Sequence, residues 1–159
     1  MVSAVFIITT ALGGAFLLGL LPDNWRKTAY LITLSALALM SLIAASWLRI
    51  FAIEGVATVE FYTAGTQPPF AINLRVGLAE ATLALLSSLV GLFSALYMRD
   101  ILLEQGRRAM AVLLIFVMAL CGIILTRDMF NLFVFLELVV ISTGGLVLLS
   151  DDKRALGAG

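Results

Sequence analysis

The sequence predicts an all-α integral membrane protein, a bundle of five transmembrane helices, and three observations predict it. Hydrophobic residues make up 62% of the chain and charged residues 13%, against roughly 45–50% and 25% in a soluble domain. Mean hydropathy is +1.13. The apolar residues fall into runs near the length of about 20 needed to cross a bilayer, separated by short polar links. Ten basic residues balance ten acidic ones, so no nucleic-acid partner is suggested. With no His and a single Cys, haem ligation through His, Cys-held iron–sulfur clusters and His/Cys zinc sites are excluded within this chain, and no cofactor is expected. No nucleophile–base set, phosphate loop or metal cluster marks an enzyme.

The first helix is expected over residues 2–21. It lacks the basic leader and short apolar core of a cleaved signal peptide. Gly13, Gly14 and Gly19 either let another helix approach or are simply tolerated in lipid. Pro22-Asp23-Asn24 ends the run. The second helix is expected over 28–48, with Trp25, Tyr30 and Trp47 near the levels where aromatic belts sit. Its small residues Ser35, Ala36, Ser41, Ala44 and Ala45 offer packing surface.

Residues 49–70 form the one sizeable segment outside the membrane. Thr58–Tyr62 has strand propensity and 64–69 reads as a turn, so a short hairpin is possible. Glu54 and Glu60 read as solvated charges. The third helix is expected over 71–98. Glu80 interrupts it near its start. It is either a second site on an ion path or a shallow acid that meets headgroup water, Arg75 or another chain. Ser87, Gly91 and Ala95 recur every four residues and mark a packing face. Residues 99–108 read as a polar loop, 109–125 as the fourth helix and 129–149 as the fifth. Cys121 reads as a small buried hydrophobe.

The fifth helix holds the chemistry. At about 1.5 Å per residue, Glu137 lies roughly 12 Å along from Met129, near the middle of the hydrocarbon layer. A charge there costs about 2.5–3.5 kcal/mol on insertion scales. Intramembrane acids mark ion or proton paths; the plain alternative is a hydrogen bond that glues helices. Phe130, Phe133, Glu137, Ile141 and Gly144 fall close to one line, which is expected to face protein. Leu132, Leu136, Val139 and Thr143 form another.

Five crossings put the chain ends on opposite faces. Arg26, Lys27, Arg99, Arg107, Arg108, Lys153 and Arg154 lie on one face, and Arg49, Arg75 and Arg127 on the other. Seven against three predicts the N-terminus outside and the C-terminus in the cytoplasm of a prokaryotic cell, in its inner membrane.

The run Asp128–Glu137 resembles a family: the antiporter-like subunits of Mrp-type sodium/proton antiporters, respiratory complex I and membrane-bound hydrogenases. It is most similar to the D-type antiporter-like component of Mrp antiporters and its hydrogenase-type counterparts, which carry a similar F-N-L-x-V-x-x-E run on their fifth helix. Ile141–Gly144, the short link into Lys153 and Arg154, and Gln67–Leu74 also fit. The resemblance implies proton handling, with Glu137 matching the essential fifth-helix glutamate that faces a lysine on a seventh helix. The sequence departs from full-length members by ending where the sixth helix should begin, as a split subunit, a degenerate copy or a truncated product would. Many relatives also carry an acid near Gly77, where this chain has none. The partners implied are other membrane subunits of a multi-subunit complex, one of them supplying a Lys near Glu137, together with membrane lipid. The leading expectation is a partial antiporter-like subunit contributing Glu137 to a proton or sodium path completed by another chain. The alternative is a non-transporting scaffold subunit of the same kind of complex.

Overall fold

The computed structural model describes residues 2–55, 58–62 and 73–157, without the side chains of Glu54 and of 149–157. Its elements are α1 (Val5–Leu20), α2 (Arg26–Glu54), β1 (Thr58–Tyr62), β2 (Asn73–Gly77), α3 (Leu78–Tyr97), α4 (Arg99–Gln105), α5 (Arg107–Leu125) and α6 (Met129–Gly157). The expected fifth helix is α6. Four helices, α2, α3, α5 and α6, are long and apolar enough to cross a membrane, and α1 is a shorter apolar helix of 16 residues. At 1.5 Å per residue α1 measures about 24 Å, less than the roughly 30 Å hydrocarbon layer. The chain is a multi-pass membrane protein.

The bundle is built around α5, which touches α1, α2, α3 and α6. Half of its spanning window is buried, against 11% for α6, so α6 stands at the edge, packed on α5. Lipid tails give helices no hydrophobic reason to associate, so small side chains and close packing hold them. In α3 the buried face is Ala81, Ala84, Ser88, Gly91 and Ala95, with Ser87 only half-buried at its side. A Cβ on Gly91 would stand 2.6 Å from the Val117 methyl of α5. Overpacking of that kind costs about 1–3 kcal/mol in a well-packed interior. In α2, Ala36, Ser41 and Ala44 are buried, Ala45 is half-buried and Ser35 is exposed. Cys121 is fully buried in α5.

Several elements depart from the pattern read in the sequence. Of the α1 glycines only Gly14 lies at a close approach, where a Cβ would meet Leu114 at 3.0 Å and Ala36 at 3.2 Å; Gly13 and Gly19 face open space. Trp25 is exposed, but Tyr30 and Trp47 turn inward. Each finds a carbonyl for its polar tip: the Tyr30 hydroxyl donates to Ala95 O at 3.2 Å, and Trp47 Nε1–H donates to Val2 O at 2.8 Å. A buried aromatic with a satisfied polar group is as comfortable there as in a lipid belt. Helix α2 runs on to Glu54 and stops at Gly55, whose φ of +63° is the left-handed cap that glycine tolerates. The expected loop at 99–108 holds α4, which Gly106, at φ +83°, separates from α5. Helix α6 continues through the expected polar junction.

The largest departure is the start of α3. Residues 73–77 form a strand, antiparallel to β1 with Glu60 opposite Arg75, and the helix begins only at Leu78. Leu74 and Val76 are buried while Asn73 and Arg75 are half-buried, the period-2 pattern of a strand. The strand Thr58–Tyr62 stands as expected; the expected turn at 64–69 lies outside the described residues. On β1 the Tyr62 hydroxyl donates to the Glu60 carboxylate at 2.6 Å, which raises the phenol above its ordinary pKa.

The links sort into two ends of the bundle. At one end Arg107 pairs with Asp23 at 2.6 Å and donates to Gly19 O at 2.7 Å, and Arg26 donates to the carbonyls of Leu103 and Glu104. At the other end β2 bridges to the α5–α6 link through Leu74 and Thr126, and Arg127 N–H donates to Asn73 O at 3.0 Å.

Candidate functional site

Asp128 precedes helix α6, and its carboxylate accepts the Phe130 backbone N–H at 3.1 Å, a capping bond that satisfies one of the free donors of the first turn. The helix then runs antiparallel to α5. Phe135 lies over Gly122, and Gly145 lies against Val112. Phe135, Leu138, Ser142 and Gly145 therefore sit on the side toward α5, and Ser142 donates its hydroxyl back to Leu138 O. The opposite side is bare. Phe130, Phe133 and Ile141 are 75%, 68% and 65% exposed, Glu137 and Gly144 are exposed too, and nothing stands within 4 Å of a Cβ placed on Gly144. These are the five residues of the line on which the sequence places the acid. No helix among the described residues covers them. Glu137 makes no hydrogen bond or ion pair with the described residues, about 12 Å into the helix.

Glu80 has the opposite surroundings. It lies in the first turn of α3, where backbone N–H groups favour a negative charge, and it is only 8% exposed. Arg127 of the α5–α6 link binds its Oε1 closely, and Arg75 Nε of β2 stands 3.7 Å from the same oxygen. One carboxylate thus joins three segments: the hairpin, α3 and the link into α6.

The two candidate acids are not brought together. Glu137 is in the middle of the exposed face of α6, and Glu80 is at the end of the bundle that holds the hairpin. Arg75 stands where the shallow reading of Glu80 puts a partner. The part of Arg127 was not visible in the sequence, because it lies 47 residues from Glu80 and no local pattern links them. Asn131 was missed as well. It is 9% exposed near the start of α6, and its Nδ2 has no hydrogen-bond partner among the described residues. Among the described residues no group of three or more His, Cys, Asp or Glu could hold a metal ion.

Bundled helices long and apolar enough to span a bilayer, one of them with an exposed acid midway along it, define a multi-pass membrane protein. Neither a family model nor a curated protein matches the chain. Solved structures do match. The chain is similar to one from the membrane-bound sulfane sulfur reductase, an archaeal respiratory membrane complex, at 27% identity and a TM-score of 0.75 over 87% of this chain and 28% of that one. It is also similar to a chain of the Mrp complex of a Dietzia sp., at 20% identity and a TM-score of 0.76 over 90% of this chain and 26% of that one. This chain therefore has the fold of an antiporter-like membrane subunit. It spans about a quarter of the length of either matched chain.

Proposed function

We propose that this chain is a partial antiporter-like membrane subunit of a multi-subunit ion-translocating complex, contributing Glu137 to a proton or sodium path that another chain completes. The observation that carries the reading is the bare line of α6, with an acid at its centre and Gly144 beyond it. An acid facing lipid bears the full insertion cost, whereas a helix laid along this line would shield it, and Gly144 lets that helix come close. The covering helix presents a Lys within about 4–6 Å of Glu137. Hydrocarbon favours the neutral carboxyl and an approaching ammonium favours the charged one. Movement of the Lys therefore loads and releases a proton. Cysteines at Phe133 and Ile141 flank Glu137 on the line. In native membranes a benzophenone maleimide attached to each of them should, on illumination, insert into a C–H bond of another membrane protein and join the two. Reaction only with lipid-dissolved reagents, and no protein adduct, overturns the reading.

The complex sits in the inner membrane of a prokaryotic cell, with the N-terminus outside and the C-terminus in the cytoplasm. The support is the charge count, together with the contacts of Arg26 and Arg107 at one end of the bundle and of Arg75 and Arg127 at the other. Thr58 and Asp100 are exposed, one at each end. Thr58→Cys should react with an impermeant maleimide in intact cells, and Asp100→Cys only after permeabilisation; buried Cys121 stays silent in both. The reverse pattern inverts the orientation.

A further inference from the structure

A groove runs along the outside of the bundle between α1 and α5. Its middle part holds about 590 Å³ and is lined by Leu12, Gly13, Phe16, Ala111 and Ile115 among others. Gly13 has nothing within 4 Å of a Cβ position, so the groove owes part of its depth to that missing side chain. A second cavity of about 220 Å³ shares Ala111 and is lined further by Leu18, Gly19, Arg107 and Arg108. The two adjoin, leading from a wall that is apolar but for Thr9, whose hydroxyl donates to Phe6 O, to two guanidinium groups at its edge.

Those two arginines differ. Arg107 is committed to Asp23 and to Gly19 O. Arg108 is exposed and makes no hydrogen bond or ion pair among the described residues. Arg26 joins the pair around the next cavity, so among the described residues that line it three arginines stand with one acid, Asp23, which Arg107 already holds. A mainly apolar trough that ends at the headgroup level in a cation without a partner among the described residues fits an amphiphile with an anion at one end. A protein helix in the same place would have to supply an acid at one level only, and nothing else in the groove would recognise its polar backbone ends.

We propose that the α1–α5 groove binds an anionic phospholipid, with an acyl chain against Gly13 and Phe16 and the phosphate on Arg108. Basic pockets between membrane helices take anionic headgroups in this way. The site is on the side of α5 served by α1, and its occupancy does not depend on what covers α6.

The test uses the full chain, purified with whatever subunits accompany it, in phosphatidylcholine nanodiscs. Two photoreactive probes carry the same diazirine on an acyl chain, one a phosphatidylglycerol and the other a phosphatidylcholine. Adducts are mapped by mass spectrometry. The phosphatidylglycerol probe should label the groove about fivefold more than its neutral twin, the preference one arginine gives near the membrane surface. Arg108→Gln should remove that preference and leave neutral-lipid labelling intact. Gly13→Phe should lower labelling by both probes, and inorganic phosphate should change nothing. Equal labelling by the two probes in the unaltered chain means ordinary boundary lipid and overturns the proposal. So does a preference that survives Arg108→Gln, competition by inorganic phosphate, or a groove labelled by neither probe because a neighbouring subunit fills it.

Discussion

Replacing Glu137 with Gln should stop ion transport by the assembled complex while leaving the complex itself intact. Gln keeps the size of the side chain and its ability to hydrogen-bond, but it neither releases a proton nor attracts a Lys. If Glu137 loads and releases protons, the change removes the transferring group, and losses of about a hundredfold or more are the scale for such groups. The measurement is pH-gradient-driven sodium uptake by membrane vesicles, beside the amount of this chain recovered in the purified complex. Glu137→Asp keeps the charge on a shorter arm and should retain part of the flux. A scaffold would tolerate Gln in both measurements, and normal transport by a normally assembled Glu137→Gln complex ends the ion-path reading.

Glu80→Ala is expected to act on a different quantity, the hold of the hairpin on the bundle. The change leaves Arg75 and Arg127 facing each other without their shared anion. Breaking a fully buried pair costs about 3–5 kcal/mol. Here the arginine side chains are 41% and 38% exposed, and water screens part of that, so about 1–3 kcal/mol is the appropriate scale. Hydrogen exchange reads the effect directly. The amide of Arg127, bonded to Asn73 O, and those of β2 should exchange about tenfold faster, as a loss of roughly 1.4 kcal/mol requires. Asp100→Asn alters an exposed acid at the other end of the bundle and serves as the control. Unchanged exchange in Glu80→Ala would make the cluster ordinary solvated charge.

The helices were legible because hydrocarbon imposes a simple length and composition rule, and four of the apolar runs obey it. The start of α3 was not. Residues Ala71 and Ile72 join the run without a break, so a helix and a strand leading into a helix look alike. Only the alternation of Leu74 and Val76 separates them, and it spans too few residues to override the length of the apolar run. Trp47 and Tyr30 misled for a related reason, since an aromatic near a helix end suits either lipid or a buried carbonyl. The candidate site was half legible. A carboxylate midway along an apolar run and the line it shares are readable from spacing alone. Which side of that line is bare depends on how α6 leans on α5, through Gly122 and Gly145, and no spacing within α6 reports it. The Glu80–Arg127 pair was out of reach because its partners meet only after the bundle has closed.

That late meeting has a consequence for how the chain is made. Arg75 and Glu80 leave the ribosome almost together and lie at the same end of the bundle. Arg127 follows 47 residues later, after α3 has gone across and α5 has come back. If either helix were threaded the wrong way, Arg127 would be stranded at the far surface and Glu80 would be left with Arg75 alone. The cluster closes only when α3 and α5 cross in opposite directions, so it forms on chains in which that pair is threaded as a hairpin.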